Sequence, residues 1–136
     1  MTYKFKQETL PTPNNSFEKI EKGKAAELLV QQYLSKLGYR FVMSNFRLKV
    51  GEIDLIFERQ AGKDKSLVFV EVRSSDGFNP RLKLSITPAK IRKIHKTIYF
   101  YLQRNPKYRG WAVQLDVVWV EYLEGRVFIE HLKNVC

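Results

Sequence analysis

The sequence predicts an α/β fold in which two helices and five strands follow each other in the order α-β-β-β-α-β-β. Three observations lead to this prediction. Apolar residues recur at helical spacing from Ala26 to Leu37, residues 51–57 alternate between apolar and polar, and residues 67–72 form a nearly continuous apolar run. These patterns are typical of an amphipathic helix, a half-buried strand and a strand buried on both faces.

The first helix is predicted near residues 17–37, and Gly38 supplies the residue type that commonly ends a helix. Residues 1–15 are polar and contain two prolines and two asparagines. We expect them to form a flexible tail, because such segments cannot bury apolar surface. Residues 16–136 are then expected to form a single domain.

Three strands should follow the first helix. Residues 39–47 alternate imperfectly, and a regular strand begins at Gly51. A turn at residues 60–65 separates it from the apolar run at 67–72, and Gly77 and Pro80 mark a loop. In the second strand, alternation places Ile53, Leu55 and Phe57 on one face and Glu52, Asp54 and Ile56 on the other.

The second helix has a clear beginning at Thr87-Pro88, with Thr as the capping residue and Pro at the first helical position. It should end before Asn105-Pro106. Strands are predicted at residues 113–122 and 126–132, joined by a turn at Glu124-Gly125.

Composition narrows the class of function. Lys and Arg number 24 against 14 Asp and Glu, which gives a formal net charge of +10. A surplus of this size indicates a polyanionic partner, either nucleic acid or an anionic membrane surface, and too few of the charges are consecutive for a membrane anchor. The single Cys excludes an internal disulfide and a Cys-based metal site. No apolar run approaches the ~20 residues of a membrane span, and the first 16 residues lack the apolar core of a signal peptide. A cytoplasmic location with no membrane partner is therefore expected.

The positive charge is concentrated in one segment. No acidic residue occurs between Asp76 and Asp116. Two interpretations remain open: a solvated helix face, or a face that binds phosphates, which we favour because ordinary surfaces mix both signs. Tyr99, Tyr101, Tyr108 and Trp111 either stack on bases or belong to the core. The basic residues of this segment are Arg81, Lys83, Lys90, Arg92, Lys93, Lys96, Arg104, Lys107 and Arg109.

Acidic residues occupy two otherwise apolar strands. If the turn at 60–65 closes a regular hairpin, facing residues have an index sum of 125. Asp54 then faces Glu71, and Glu52 faces Arg73. Two carboxylates this close require a proton or a cation between them, and oxygen ligands favour Mg²⁺ or Mn²⁺. The alternative is a Glu52–Arg73 ion pair with Asp54 as a polar residue at a strand edge, and a one-residue bulge would also change the pairing.

The spacing of these residues resembles the PD-(D/E)XK nuclease pattern, in which an acid on one strand is followed by acid-x-Lys on the next. Several longer segments resemble the YraN-like family of uncharacterised bacterial proteins, in register over roughly residues 17–132. This resemblance implies a restriction-endonuclease-like fold, related to that of archaeal Holliday-junction resolvases, with a mixed sheet of about five strands flanked by two helices. The segments are Gly23-Lys24-Ala25-Ala26-Glu27, Gly38-Tyr39, Asn45-Phe46-Arg47, residues 51–56, residues 69–73, Thr87-Pro88-Ala89-Lys90 and Leu115-Asp116-Val117-Val118.

The resemblance also implies roles for individual residues. Asp54 and Glu71 would be metal ligands, and Glu27 matches the helix acid that completes the site in resolvase-like members. Lys90 matches a recurrent Lys of the family, and it is equally a candidate phosphate contact. Gln31 and Glu52 are candidates for supporting residues around the site. The proposed nucleic-acid contacts are Arg81, Lys83, Lys90, Arg92, Lys93 and Lys96.

The chain departs from the nuclease pattern at one position, where Arg73 replaces the usual Lys. Arg retains the positive charge but cannot give up its proton at neutral pH. The sequence therefore predicts a Mg²⁺- or Mn²⁺-dependent nuclease that hydrolyses phosphodiester bonds in DNA, including branched DNA. The alternative is a non-catalytic nucleic-acid-binding module on the same scaffold. Lys90 and Lys49 are candidates to replace the missing Lys. A homodimer is implied because resolvase-like relatives act as dimers.

Overall fold

The computed structural model describes residues 3–8 and 19–135, and side chains within residues 23–135. Two short 3₁₀ turns, at Leu82–Ser85 and Pro106–Tyr108, flank the second helix. The helices and strands are β1 (Tyr3–Glu8), α1 (Lys19–Lys36), β2 (Arg40–Leu48), β3 (Gly51–Ala61), β4 (Asp64–Asp76), α2 (Pro88–Arg104), β5 (Ala112–Leu123) and β6 (Arg126–Leu132).

One mixed sheet contains all of these strands in the order β1-β6-β5-β4-β3-β2. Only the central β4–β5 pair is parallel among the strand pairs described. A parallel pair requires a long crossover, and α2 with its flanking turns provides it. The predicted α/β class and the order α-β-β-β-α-β-β are confirmed for the segment from α1 to β6.

The N-terminal segment differs from the expectation of a flexible tail. Tyr3–Glu8 forms β1, which pairs antiparallel with β6 from Tyr3↔Leu132 to Glu8↔Val127. The sheet therefore has six strands, one more than expected. The sequence signal was weak because Lys4 and Lys6 interrupt the apolar residues of this short edge strand, a composition that edge strands commonly have. The rest of the predicted tail lies outside the described residues.

The two helices pack on opposite faces of the sheet. Val68 and Val70 of β4 pack with α1 residues such as Val30 and Leu34, whereas Leu67 and Phe69 pack with Ile94, Ile98 and Tyr101 of α2. Alternating residues of one strand thus enter two different cores, which explains the nearly continuous apolar run at 67–72. The α1 face also buries two polar residues completely, Asp116 and His131.

The beginning of α2 is as predicted. Thr87 caps the helix by accepting a hydrogen bond at Oγ1 from the Lys90 backbone N–H at 3.1 Å, and Pro88 is the first helical residue. The helix approaches β3 most closely at Gly51, where an added Cβ would lie 2.8 Å from Thr97 Oγ1. Because so short a contact forces a neighbour to move, glycine is required here for close helix–sheet packing. This contact fixes α2 beside the strand that carries Asp54.

No helix among residues 19–135 is both long enough and apolar enough to cross a membrane. The 18-residue α1 contains several charged residues, mostly in its first half, and α2 has a single apolar stripe with a basic opposite face. A helix in the bilayer core would have to be apolar on every side.

Candidate active site

The β3–β4 hairpin has the predicted register. Its described pairs run from Ala61↔Asp64 to Leu55↔Val70, and each pair has the index sum 125. Beyond Leu55 the regular ladder ends. The backbone N–H of Val72 instead donates a hydrogen bond to Oδ2 of Asp54 at 2.7 Å. The Asp54 side chain therefore accepts a backbone hydrogen bond of β4 at the point where the β3–β4 ladder ends.

The alternation of β3 is broken at the same position. Ile53 packs with Ile56 in the α2 core, whereas Leu55 packs in the α1 core. The predicted common face for Ile53, Leu55 and Phe57 is therefore wrong, because the chain is irregular at Asp54. Across from it, Asn45 of β2 has φ of 54° and no described ladder partner. Such irregularities in a sheet commonly redirect side chains near functional sites.

Asp54 and Glu71 form a buried pair joined by a side-chain hydrogen bond. Their exposed fractions are 8% and 6%. Burial, and then the nearby Asp54 carboxylate, raise the pKa of Glu71 to about 8. Burial also raises the pKa of Asp54, against the lowering effect of its hydrogen bonds from Glu71 and from Val72 N–H. In the absence of a cation, both shifts favour retention of one proton by the pair near neutral pH.

Two basic side chains approach the same oxygen of this pair. Arg73 Nε and Lys90 Nζ each lie 3.9 Å from Glu71 Oε1. Arg73 comes from the next position of β4 on the same face, and Lys90 comes from the first turn of α2. The Nε atom of Arg73 is buried and has no hydrogen-bond partner. The guanidinium is therefore close to the acidic pair without being bonded to it through this atom.

The alternative interpretation of a Glu52–Arg73 ion pair is wrong. Glu52 is exposed and its Oε2 lies 3.2 Å from Nε of Arg47, its ladder partner in β2. The strands separate before Glu52 and Arg73 can face each other. Glu52 still acts on the site through its charge, since it raises the pKa of both Asp54 and Glu27.

Glu27 on α1 lies near the pair from the other side of the sheet. Burial and then the Asp54 carboxylate raise its pKa, and a side-chain hydrogen bond with Asn45 lowers it. Asn45 is therefore a neighbour of Glu27, which sequence reasoning missed. Two signals pointed to it: Asn is among the few residues that adopt a positive φ readily, and Asn45 belongs to the segment Asn45-Phe46-Arg47. Gln31 is half-buried one helical turn after Glu27, and its supporting role stays a prediction.

A cleft of about 250 Å³ lies between β3 and the beginning of α2, next to Lys90 rather than against the acidic pair itself. Lys90 lines this cleft and also contacts Glu71, so it connects the two features. Lys93 lines it further along α2, and Arg92 and Lys96 are exposed on the same helix. The opening is large enough for a phosphate group and is bordered by Lys90 and Lys93, against the single acid Glu52.

The remaining predicted basic contacts differ from one another. Arg81 is exposed, whereas Lys83 Nζ lies 2.6 Å from Oε1 of the buried Glu130. Lys83 is thus already neutralised within the protein. It also lies 5.6 Å from the centre of the Trp119 ring. Its predicted role in nucleic-acid binding is therefore less well supported than that of Arg92, Lys93 and Lys96.

Within residues 23–135, no group of three or more His, Cys, Asp and Glu side chains is arranged to hold a metal ion. The candidate donor set is the pair Asp54 and Glu71, with Glu27 as a neighbour. These donors are all oxygen atoms.

The protonated pair predicts how the stability of the metal-free protein depends on pH. Glu71 has an ordinary pKa of 4.5 when exposed and a pKa of about 8 in the fold. Its contribution to stability is fully present below the lower value and is lost as pH rises through the higher one, because the folded state binds the additional proton. The thermal midpoint in a chelator should therefore fall across this range, and Glu71→Gln should reduce the slope. Asp64→Asn, at the exposed hairpin turn, is the control; equal slopes for Glu71→Gln and wild type would contradict the protonated pair.

Comparison with known proteins gives a consistent result along most of the chain. A family model described as uncharacterised protein family UPF0102 matches residues 26–120. A UPF0102 protein of Vibrio campbellii is 41% identical, over 77% of this chain and 93% of the relative. A UPF0102 protein of Syntrophomonas wolfei is 36% identical, over 84% of this chain and 96% of the relative. A UPF0102 protein of Persephonella marina is 38% identical, over 83% of this chain and 90% of the relative. The chain therefore belongs to the uncharacterised protein family UPF0102.

Proposed function

We propose that this protein is a divalent-metal-dependent nuclease that hydrolyses phosphodiester bonds in DNA. The observation that supports this most directly is the buried Asp54–Glu71 pair. The basic side chains of Arg73 and Lys90 each lie 3.9 Å from Oε1 of Glu71. Glu71 is a buried acid with a strongly raised pKa, and such acids are typical of functional sites. The two acids also lie on adjacent strands with a spacing that resembles the PD-(D/E)XK pattern.

The donor set fits magnesium or manganese. Mg²⁺ retains several water ligands and is commonly held by only one or two protein carboxylates together with substrate phosphate. A dication between Asp54 and Glu71 would replace the proton that the pair otherwise shares, and would remove the repulsion between them. Asp54 and Glu71 would hold the ion, with Glu27 nearby. When bound, it would polarise a phosphoryl oxygen and lower the pKa of water.

Lys90 compensates for the unusual Arg73. The nuclease pattern places an ammonium group beside the second acid, and Lys90 Nζ is at the same 3.9 Å from Glu71 Oε1 as Arg73 Nε. In this proposal Lys90 stabilises the charge that develops on the phosphate, and Arg73 holds a phosphate oxygen through its guanidinium group. Lys49 is the weaker candidate because it lies exposed in the turn between β2 and β3.

A second candidate function is a nucleic-acid-binding module without catalysis. The replacement of the pattern Lys by Arg73 favours it, since a guanidinium binds phosphate well but orients its donors differently from an ammonium. The exposed residues Arg92, Lys93 and Lys96 on α2 would serve both functions. Metal-dependent cleavage distinguishes the two. Branched DNA as substrate, and a homodimer as the active form, are further parts of the proposal that rest on the resemblance to resolvases.

The metal site is tested by Asp54→Asn. We expect this variant to lose Mn²⁺ binding in titration calorimetry and to lose cleavage of nicked or branched DNA. The Asn carbonyl can still accept the Val72 N–H, so the fold should persist. Glu124→Gln, which removes an exposed acid at the β5–β6 turn, should behave as wild type. Equal metal binding by Asp54→Asn and wild type would rule out this site, and DNA binding by a wild type that cuts no substrate would favour the binding module.

Arg73→Lys tests whether the guanidinium limits chemistry. We expect faster metal-dependent cleavage with DNA affinity within a few-fold of wild type, because only interactions that strengthen in the transition state raise the rate. A displacement of ~1 Å can cost about 10²-fold in turnover, which sets the scale of the gain. Arg73→Ala should abolish cleavage. If Arg73→Lys cleaves more slowly than wild type under single-turnover conditions, Arg73 is itself an adapted catalytic residue.

The basic face of α2 is tested by the salt dependence of DNA binding. Replacing Arg92, Lys93 and Lys96 with Gln should reduce the slope of log affinity against log salt by about 0.9 for each duplex phosphate that the protein no longer neutralises. Lys90 is left intact because it contacts Glu71. Gln substitutions at the exposed Lys36, Arg40 and Arg126 remove the same charge elsewhere. If both triple variants change the slope equally in fluorescence anisotropy titrations, α2 makes no specific phosphate contacts.

A further inference from the structure

A second basic cleft lies at the opposite end of α2 from the acidic pair. It has a volume of about 550 Å³ and is lined by residues of the β3–β4 turn and of the segment that precedes β5. Trp111 lines this cleft and also a smaller one of about 260 Å³ that includes Gln103 of α2. The indole therefore borders open space in two directions, unlike Trp119, which is only 5% exposed.

Charge around this cleft is mainly positive. Lys63, Lys65 and Arg109 line it and are exposed, against the single acid Asp64. The ammonium of Lys65 lies 5.5 Å from the centre of the Trp111 ring. The Lys65 ammonium thus lies over a face of the indole, and an aromatic ring with exposed cations over and beside it is a combination that binds a nucleobase together with its phosphate.

The indole is held in place from behind. Tyr108 packs edge-on against Trp111 with ring centres 5.0 Å apart. The Tyr108 hydroxyl in turn donates a hydrogen bond to Glu58 Oε2 at 2.6 Å, which ties it to β3. A rigid aromatic wall loses little conformational freedom when a base stacks on it.

The cleft and the acidic pair are connected along two elements. Lys65 lines the cleft, and Glu71 follows six residues later on the same face of β4, which corresponds to about 20 Å. On α2, helical spacing aligns four residues between the two ends: Lys93, Lys96, Phe100 and Gln103. Lys93 lines the cleft beside the acidic pair and Gln103 lines the smaller cleft beside Trp111. This line of residues is free of acids.

We propose that the Trp111 cleft binds an unpaired nucleotide of the same DNA strand whose phosphate reaches Asp54 and Glu71. The base stacks on the indole, and the phosphates contact Lys63, Lys65 and Arg109. An unpaired segment is required because a base in a duplex has no free face for the indole. This inference rests on the proposed function, which places the scissile phosphate at Asp54 and Glu71. It identifies the substrate as DNA with a single-stranded segment.

Tryptophan fluorescence tests the proposal, because Trp119→Phe leaves Trp111 as the sole tryptophan. We expect a short oligothymidylate to quench its emission, whereas a blunt duplex of equal length should not. Lys65→Gln with Arg109→Gln should weaken the quenching titration several-fold, and Lys36→Gln with Arg126→Gln is the matched control. In an otherwise wild-type protein, Trp111→Phe should remove the quenching, which provides the same test if Trp119→Phe unfolds.

The outcomes separate this inference from the proposed function. If a labelled oligothymidylate binds by anisotropy without quenching Trp111, the cleft is not the base site, although nucleic-acid binding stands. If quenching occurs but no substrate is cleaved with Mn²⁺, the nucleotide site stands and the nuclease proposal fails. Equal quenching by free thymidine monophosphate would indicate a pocket for mononucleotides and would overturn the assignment to a substrate strand.

Discussion

The hydrogen bond from the Val72 backbone N–H to the Asp54 carboxylate is the interaction on which the arrangement of the site depends. A buried backbone N–H needs a partner, and here a side chain provides it where the β3–β4 ladder ends. The two strands can then separate without leaving the amide unsatisfied. The hairpin register places Asp54 beside Glu71, and Lys90 approaches the pair from α2. The same 2.7 Å contact keeps a carboxylate in a largely apolar sheet, where burial alone would expel it or protonate it.

The sequence was sufficient for those features that local chemistry determines. The Thr87-Pro88 cap and the end of α2 at Arg104 follow from capping and proline sterics, and the index sum of 125 follows from a short, regular hairpin turn. The proximity of Asp54 and Glu71 was predictable for the same reason. The irregularity at Asp54 and Asn45 was not, because a break in alternation arises from competition between two cores for neighbouring residues of one strand. The pairing of Lys83 with Glu130 also escaped prediction, since 47 residues separate them.

The buried pair of Asp116 and His131 shows the same limit of sequence reasoning on the other face of the sheet. Both side chains are fully buried, and Asp116 Oδ2 lies 2.7 Å from His131 Nε2. The other carboxylate oxygen of Asp116, Oδ1, accepts hydrogen bonds from the Gln114 side chain and from the Asn134 backbone N–H. Three partners thus offset the cost of burying one carboxylate. This network ties β5 to the segment after β6, and no periodicity distinguishes it in advance from a catalytic dyad.

The close packing at Gly51 means that a substitution there could disturb the candidate site by steric displacement alone, without removing any reactive group. The glycine carries no reactive group, yet Lys93 O and Thr97 Oγ1 are 3.4 and 2.8 Å from the place where its Cβ would be. A methyl group there would push this part of α2 away from β3, and Lys90 is on the preceding turn of the same helix. In the proposed nuclease, an ammonium moved off Glu71 would lower turnover although the substitution itself added neither charge nor hydrogen bond. A side chain at position 51 is therefore excluded by the geometry that places Lys90, although the glycine has no chemical role of its own.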